Sequence, residues 1–133
     1  MSENLDFVRS IFSAVEHGDF SDASWADPEI EYVVVDGPVP ATYTGLAGLA
    51  RAMRQILGAW EGFETHVDEY RNLDTERVLV LVRYTGRGRV SGLELNALGT
   101  GGAQLCHIRN GKVRRIVVYF DRERALTDLG LKG

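Results

Sequence analysis

The side chains that most often carry chemistry are few and scattered in this chain. Its three histidines, His17, His66 and His107, show no His-x-x-x-His or His/Cys spacing and no acidic pair beside them, so no metal site is expected and each reads as structural. The one cysteine, Cys106, lies mid-strand between Leu105 and His107. It is either an inert core thiol or a residue lining a pocket. Glycine-rich stretches at residues 86–92 and 99–102 follow strands but precede no helix, so neither offers a helix N-terminus to a diphosphate; they read as hairpin and bulge glycines. Arg83, Arg87, Arg89, Arg114 and Arg115 make either an anion patch or a solvated sheet face. The second reading fits a half-buried sheet better. No Ser/His/Asp or Cys/His arrangement assembles. What remains is a carboxylate, Asp36, at the end of the first strand-like run. It stands two residues past Val34 and four past Tyr32, and so on the same strand face. If that face looks inward, Asp36 looks into a pocket mouth as a general base. If not, it stabilises the Asp-Gly-Pro turn.

The elements that must position these groups are legible from periodicity. Leu5, Val8, Ile11, Phe12 and Val15 fall at helical spacing, stopped by Gly18, and residues 21–26 look like one or two further turns ended before Pro28. Residues 30–35 are β-branched and aromatic and predict a strand. From Thr44 as N-cap, Leu46, Leu49, Ala50, Met53, Ile56, Leu57 and Trp60 make one apolar stripe of a long second helix. Strands are then predicted over 64–73, 77–87, 93–108 with a glycine break at 99–102, and 113–120, the last two joined at Asn110-Gly111, a strong tight-hairpin pair. A short helix with Asp121 as N-cap, through Ala125, Leu126 and Leu129 to Gly130, closes the chain. Helices first and antiparallel strands after predict an α+β domain.

Composition agrees with a single domain over residues 1–133. The chain of 133 residues is 44% hydrophobic and 26% charged, enough for one core and too short for two. The longest apolar runs, residues 78–82 and 116–120, are far below the roughly 20 residues of a membrane span. With no leader-like N-terminus and one cysteine, the expectation is cytoplasmic residence without disulfides. A net charge of −4 argues against a nucleic-acid partner. Residues 1–66 carry 3 Lys or Arg against 11 Asp or Glu, whereas residues 67–133 carry 12 against 8, as an acidic layer would beside a basic one.

The order of elements, with Tyr43-Thr44-Gly45-Leu46-Ala47-Gly48-Leu49 opening the long helix, Arg87-Gly88-Arg89-Val90-Ser91-Gly92-Leu93-Glu94 on the sheet, Ile108-Arg109-Asn110-Gly111-Lys112-Val113 at the last hairpin and Tyr119-Phe120-Asp121-Arg122-Glu123-Arg124-Ala125-Leu126 at the end, resembles the SnoaL-like branch of the nuclear-transport-factor-2-like superfamily. The resemblance covers about residues 5–131. It implies a cone-shaped α+β barrel, a curved mixed or antiparallel sheet with the N-terminal helices on its concave face and a pocket between them. The superfamily spans polyketide cyclases, ketosteroid isomerase, limonene epoxide hydrolase, dehydratases and non-catalytic binding modules, so the fold alone selects no activity.

Carried over position by position, the acid/base set of ketosteroid isomerase is absent. Its tyrosine position falls on Ile11, its base on Val33 or Val34, and its oxyanion aspartate on Gln104. Gln104 is then a candidate amide donor to a substrate carbonyl, or an ordinary strand glutamine. The same alignment turns Ile116, Val118 and Phe120 toward the concave side, with Met53, Leu57 and Trp60 opposite and Tyr32, Val34 and Cys106 beside them. This lining suits a hydrophobic polyketide-, terpenoid- or steroid-like molecule, bound or transformed without metal or organic cofactor by isomerisation, cyclisation or dehydration. The alternative is a non-catalytic ligand-binding or dimeric interaction module. A homodimer is expected through the convex face, where exposed Val117 and Tyr119 would otherwise leave an apolar patch.

Overall fold

The computed structural model describes residues 3–19, 22–36, 40–90, 92 and 101–131. Among them the order is α1 (Glu3–Glu16), β1 (Ala26–Val34), β2 (Ala41–Thr44), α2 (Gly45–Ala59), β3 (Trp60–Asn72), β4 (Arg77–Gly88), β5 (Gly102–Arg109), β6 (Lys112–Tyr119) and α3 (Arg122–Leu129). The strands form one mixed sheet in the order β2-β1-β6-β5-β4-β3, with β1 parallel to β6 and the other neighbours antiparallel. It is an open sheet with β2 and β3 as edges, so the expected α+β class holds but the barrel does not close.

Local chemistry explains most boundaries. The stripe of α1 buries Val8, Ile11 and Phe12. The Asn110-Gly111 pair takes up positive φ at both residues, as a tight hairpin requires, and joins β5 to β6. Helix α3 is capped as its sequence predicts: the Asp121 carboxylate accepts from the Glu123 N–H, and Gly130 ends it in the left-handed region at φ 69°. Three expectations fail. Ala26 begins β1 instead of closing helical turns, and a register shift between Ala26 and Glu31 absorbs Pro28, which has no N–H to give the ladder. Thr44 precedes α2 in extended geometry, yet its side chain makes no cap bond. Helix α2 stops at Ala59 and Trp60 turns extended, so Trp60 is the first residue of β3 and not the last of the helical stripe. The short edge strand β2 was not anticipated, and the expected strand over residues 93–100 lies outside the described residues.

Both faces of the sheet are covered. Side chains alternate, so Val78, Val80, Val82, Tyr84, Gln104, Cys106, Ile116 and Val118 share the face under α1 and α2, while Leu79, Leu81, Leu105, Val117 and Tyr119 share the other. Helix α3 lies on that second face with Ala125 and Leu126 buried against it. This corrects the expectation of an exposed patch. Val117 is 9% exposed and Tyr119 5%, because the chain's own C-terminal helix covers them.

Two polar clamps hold α3 in place. Asp36, just past β1, accepts the backbone N–H of Phe120 at 2.6 Å and of Asp121 at 3.2 Å. The Arg122 guanidinium donates to the carbonyls of Val82 and Gly102 and to Asp68, at 2.7, 3.2 and 2.9 Å. Asp68 pays some desolvation, but bonds from Arg122 and Arg83 outweigh it and hold its carboxyl below the usual range.

Candidate functional site

Helix α1 leans on β3 and β4, while α2 leans on β1 and β2 and then turns into β3; neither lies closely on β5 or β6. The two helices therefore straddle the middle of the sheet, and the space between them is a cavity of about 770 Å³. Its walls are Phe7, Ile11 and Val15 from α1 and Leu49, Met53 and Leu57 from α2. Its floor is Tyr32, Gln104, Ile116 and Val118. Leu46 and Leu57, 43% and 40% exposed, leave apolar surface on the α2 rim.

Phe63, Tyr84 and Phe120 make one end of the cavity a continuous aromatic wall, with Tyr84 stacked on Phe63 at 5.7 Å between ring centroids and tilted against Phe120 at 5.0 Å. Tyr84 can lie this way because Gly102 carries no side chain: a Cβ there would stand 2.5 Å from the Tyr84 ring and 2.3 Å from the Tyr119 carbonyl oxygen. The Tyr84 hydroxyl reaches Gln104, whose Nε2 lies 3.1 Å away.

Among the described residues, charge enters this cavity from exposed positions, at Asp19, Asp22, Arg54 and Lys112. Lys112 is engaged there, donating its ammonium to the Ser24 carbonyl. The buried polar groups are neutral. Burial, with Cys106 and Tyr43 nearby, raises the Tyr32 phenol far above its usual value; burial, and then Tyr32, does the same for Tyr84. The Tyr32 hydroxyl and the Gln104 carbonyl have no protein partner among the described residues, and no fully enclosed side-chain oxygen or nitrogen is left unbonded, so both open to the cavity.

Tyr32, Met53, Leu57, Gln104, Ile116, Val118 and Phe120, all expected in the site, line the cavity together. Four other expected residues do not. Val34 and Cys106 pack into the core beneath it, and burial pushes the Cys106 thiol up to about 12. Trp60 is buried in the core at the start of β3, away from the lining. Asp36 is spent on the Phe120 and Asp121 amides: it serves the β6–α3 corner and not the pocket mouth. Gln104 is placed as expected but bonded differently, since Tyr84 takes its amide. Tyr84 itself was missed, although the alternation Val78, Val80, Val82, Tyr84 carries the signal. Among the described residues no group of three or more His, Cys, Asp or Glu is placed to hold a metal ion, and no helix is long and apolar enough to cross a membrane.

No protein-family model matches the chain, and no curated protein matches it. Solved structures do, at low identity. An NTF2-like protein from Burkholderia thailandensis superimposes with a TM-score of 0.77 at 19% identity, covering 97% of this chain and 98% of that one. TerC, co-crystallised with polyporic acid, gives 0.73 at 20% identity over 96% and 98%. A SnoaL-like protein from Mesorhizobium loti, proposed as a polyketide cyclase, gives 0.69 at 13% over 86% and 97%. Likeness at these identities establishes the fold, which is the cone-shaped α+β fold of NTF2-like and ketosteroid isomerase-like proteins.

Proposed function

We propose that this chain binds a hydrophobic, uncharged small molecule of polyketide, terpenoid or steroid-like character between α1 and α2. The observation that carries the reading is the cavity of about 770 Å³ with apolar walls and a few convergent polar groups, the profile of small-molecule sites of roughly 300–1,000 Å³. That a fold neighbour was co-crystallised with an organic small molecule, polyporic acid, supports the small-molecule part of this reading. Binding fits the floor better than proton transfer does. A general base must titrate near working pH, and among the described residues the buried polar groups lining the cavity are two phenols raised out of that range, an amide and the Thr65 hydroxyl. The carboxylate expected as base is committed to backbone N–H groups.

A thermal-shift screen of uncharged polycyclic hydrocarbons, ketones and lactones against sugars and nucleotides tests this. A ligand held at 100 times its dissociation constant should add about 2.7 kcal/mol of stability. The polycyclic set should raise the melting temperature and the sugars and nucleotides should not; a flat response to every polycyclic compound contradicts the proposal.

A further inference from the structure

We infer that the cavity floor is a recognition subsite for a neutral hydroxyl group, an alcohol, phenol or enol, carried on an apolar frame, with Tyr84 and Gln104 as the residues that select it. This rests on the binding role proposed above and specifies its ligand.

Tyr84 and Gln104 satisfy each other once, across 3.1 Å, and each keeps capacity to spare. With the amide donating, the Tyr84 O–H is left to donate into the cavity and the Gln104 carbonyl to accept. With the amide turned over, Tyr84 donates to Gln104, the amide N–H points into the cavity and the Tyr84 oxygen accepts. Either way the pair presents an acceptor beside at least one donor, the amide keeping a further N–H of its own. Gln104 is 8% exposed, Tyr84 6% and Tyr32 5%, so these polar groups belong to the cavity floor and not to the outer surface. Tyr32, whose hydroxyl also faces the cavity and has no partner among the described residues, adds a second phenol near Tyr84.

A ligand hydroxyl can accept from the pair's donors and also donate to its acceptor, so it leaves neither kind of group unmet. A methyl ether or an isolated ketone only accepts, and strands the acceptor. A carboxylate only accepts, and brings a charge to a floor on which no cation stands among the described residues: Arg54 and Lys112 reach the cavity from exposed positions. The hydroxyl also meets rings on which a flat frame can lie, since Tyr84 belongs to the aromatic wall with Phe63 and Phe120.

Four probes of one shape separate the possibilities: fluorene, 2-hydroxyfluorene, 2-methoxyfluorene and fluorene-2-carboxylate, titrated by their fluorescence into the full chain. The hydroxyl compound should bind about tenfold or more tightly than fluorene and the methyl ether, and the carboxylate weakest. In Gln104→Met and Tyr84→Phe the hydroxyl advantage, read as the ratio of the hydroxyl compound's affinity to fluorene's within each variant, should shrink to within about twofold. If fluorene binds but the ether or the carboxylate equals the hydroxyl compound, the subsite is wrong and the cavity reading stands. If none of the four binds, both fall. The preference is read on the unmodified chain first, so a variant that fails to fold does not remove the test.

Discussion

The two faces of this sheet draw their side chains from alternate positions of the same strands, yet one is closed and the other hollow. On the α3 face, Leu79, Leu81, Leu105, Val117 and Tyr119 meet a helix of eight residues that Asp36 and Arg122 pin to the sheet from both sides, and the contact is filled. On the other face two longer helices stand apart over the sheet edges, and Gln104 and two phenols look up from the floor. The difference goes with the clamps and with where each helix rests, since both faces are apolar. A short helix tied by fixed hydrogen bonds is drawn onto the sheet, whereas helices resting on opposite edges leave the middle strands uncovered.

The largest break in this comparison should come from Gly102, where the two faces touch. Gly102→Ala puts a Cβ against the Tyr119 carbonyl on one neighbour and the Tyr84 ring on the other, so β5 and β6 must part. We expect a loss of about 3 kcal/mol or more in urea unfolding, because a backbone oxygen cannot step aside as a side chain can. A loss under about 1 kcal/mol would mean that the close approach is not real.

The same change on each face sharpens the contrast. Ala125 on α3 is fully buried and Ala14 on α1 borders the cavity. Ala125→Leu should cost about 2 kcal/mol by overpacking. Ala14→Leu should stay within about 0.5 kcal/mol, since the added methyls enter open space. Equal costs in denaturant melts would show that the two faces are packed alike.

Next in size is the Asp36 clamp. Asp36→Asn replaces one of two accepting oxygens with an amide that cannot accept from Phe120 or Asp121, and should cost about 1 kcal/mol of stability. Because Asp36 does not line the cavity, ligand affinity measured on the same protein should hold within about twofold. A large loss of affinity without loss of stability would return Asp36 to the site.

The smallest effect is a pH dependence from the α3 face. Burial first, then Arg115 and Arg77, push the His107 imidazole below its usual 6.5, so the unfolded chain binds that proton more readily than the folded one. The stability it contributes is complete above about pH 6.5 and is lost as pH falls through the lower folded value. His107→Gln should flatten that part of a melting-temperature profile between pH 5 and 8; an unchanged profile would assign the slope elsewhere.

How much of this was legible along the chain follows from the range of each interaction. The stripe of α1, the Asn110-Gly111 hairpin and the Asp121 cap are set by neighbours within a few residues, and the structure carries them as read, whereas the stripe of α2 holds only in part, with Leu49 buried, Leu46 and Leu57 exposed and Trp60 in β3. Asp36 was misread because its partners lie 84 and 85 positions away, and a turn-like Asp-Gly-Pro gives no hint of them. The burial of Val117 and Tyr119 depends on where a short helix docks, which no periodicity in the strand reveals. Tyr84 was within reach. It continues the inward alternation of β4, but its role appears only with Gln104 on the next strand and Gly102 leaving room for the ring.

Methyl NMR of the full chain titrated with fluorene separates a hollow face from a closed one. The Leu57, Met53, Ile116 and Val118 methyls should shift and saturate together, while those of Leu79, Leu105, Val117 and Leu126 stay in place. Saturable shifts on the Leu105, Val117 and Leu126 side, or none anywhere at millimolar probe, would contradict this contrast.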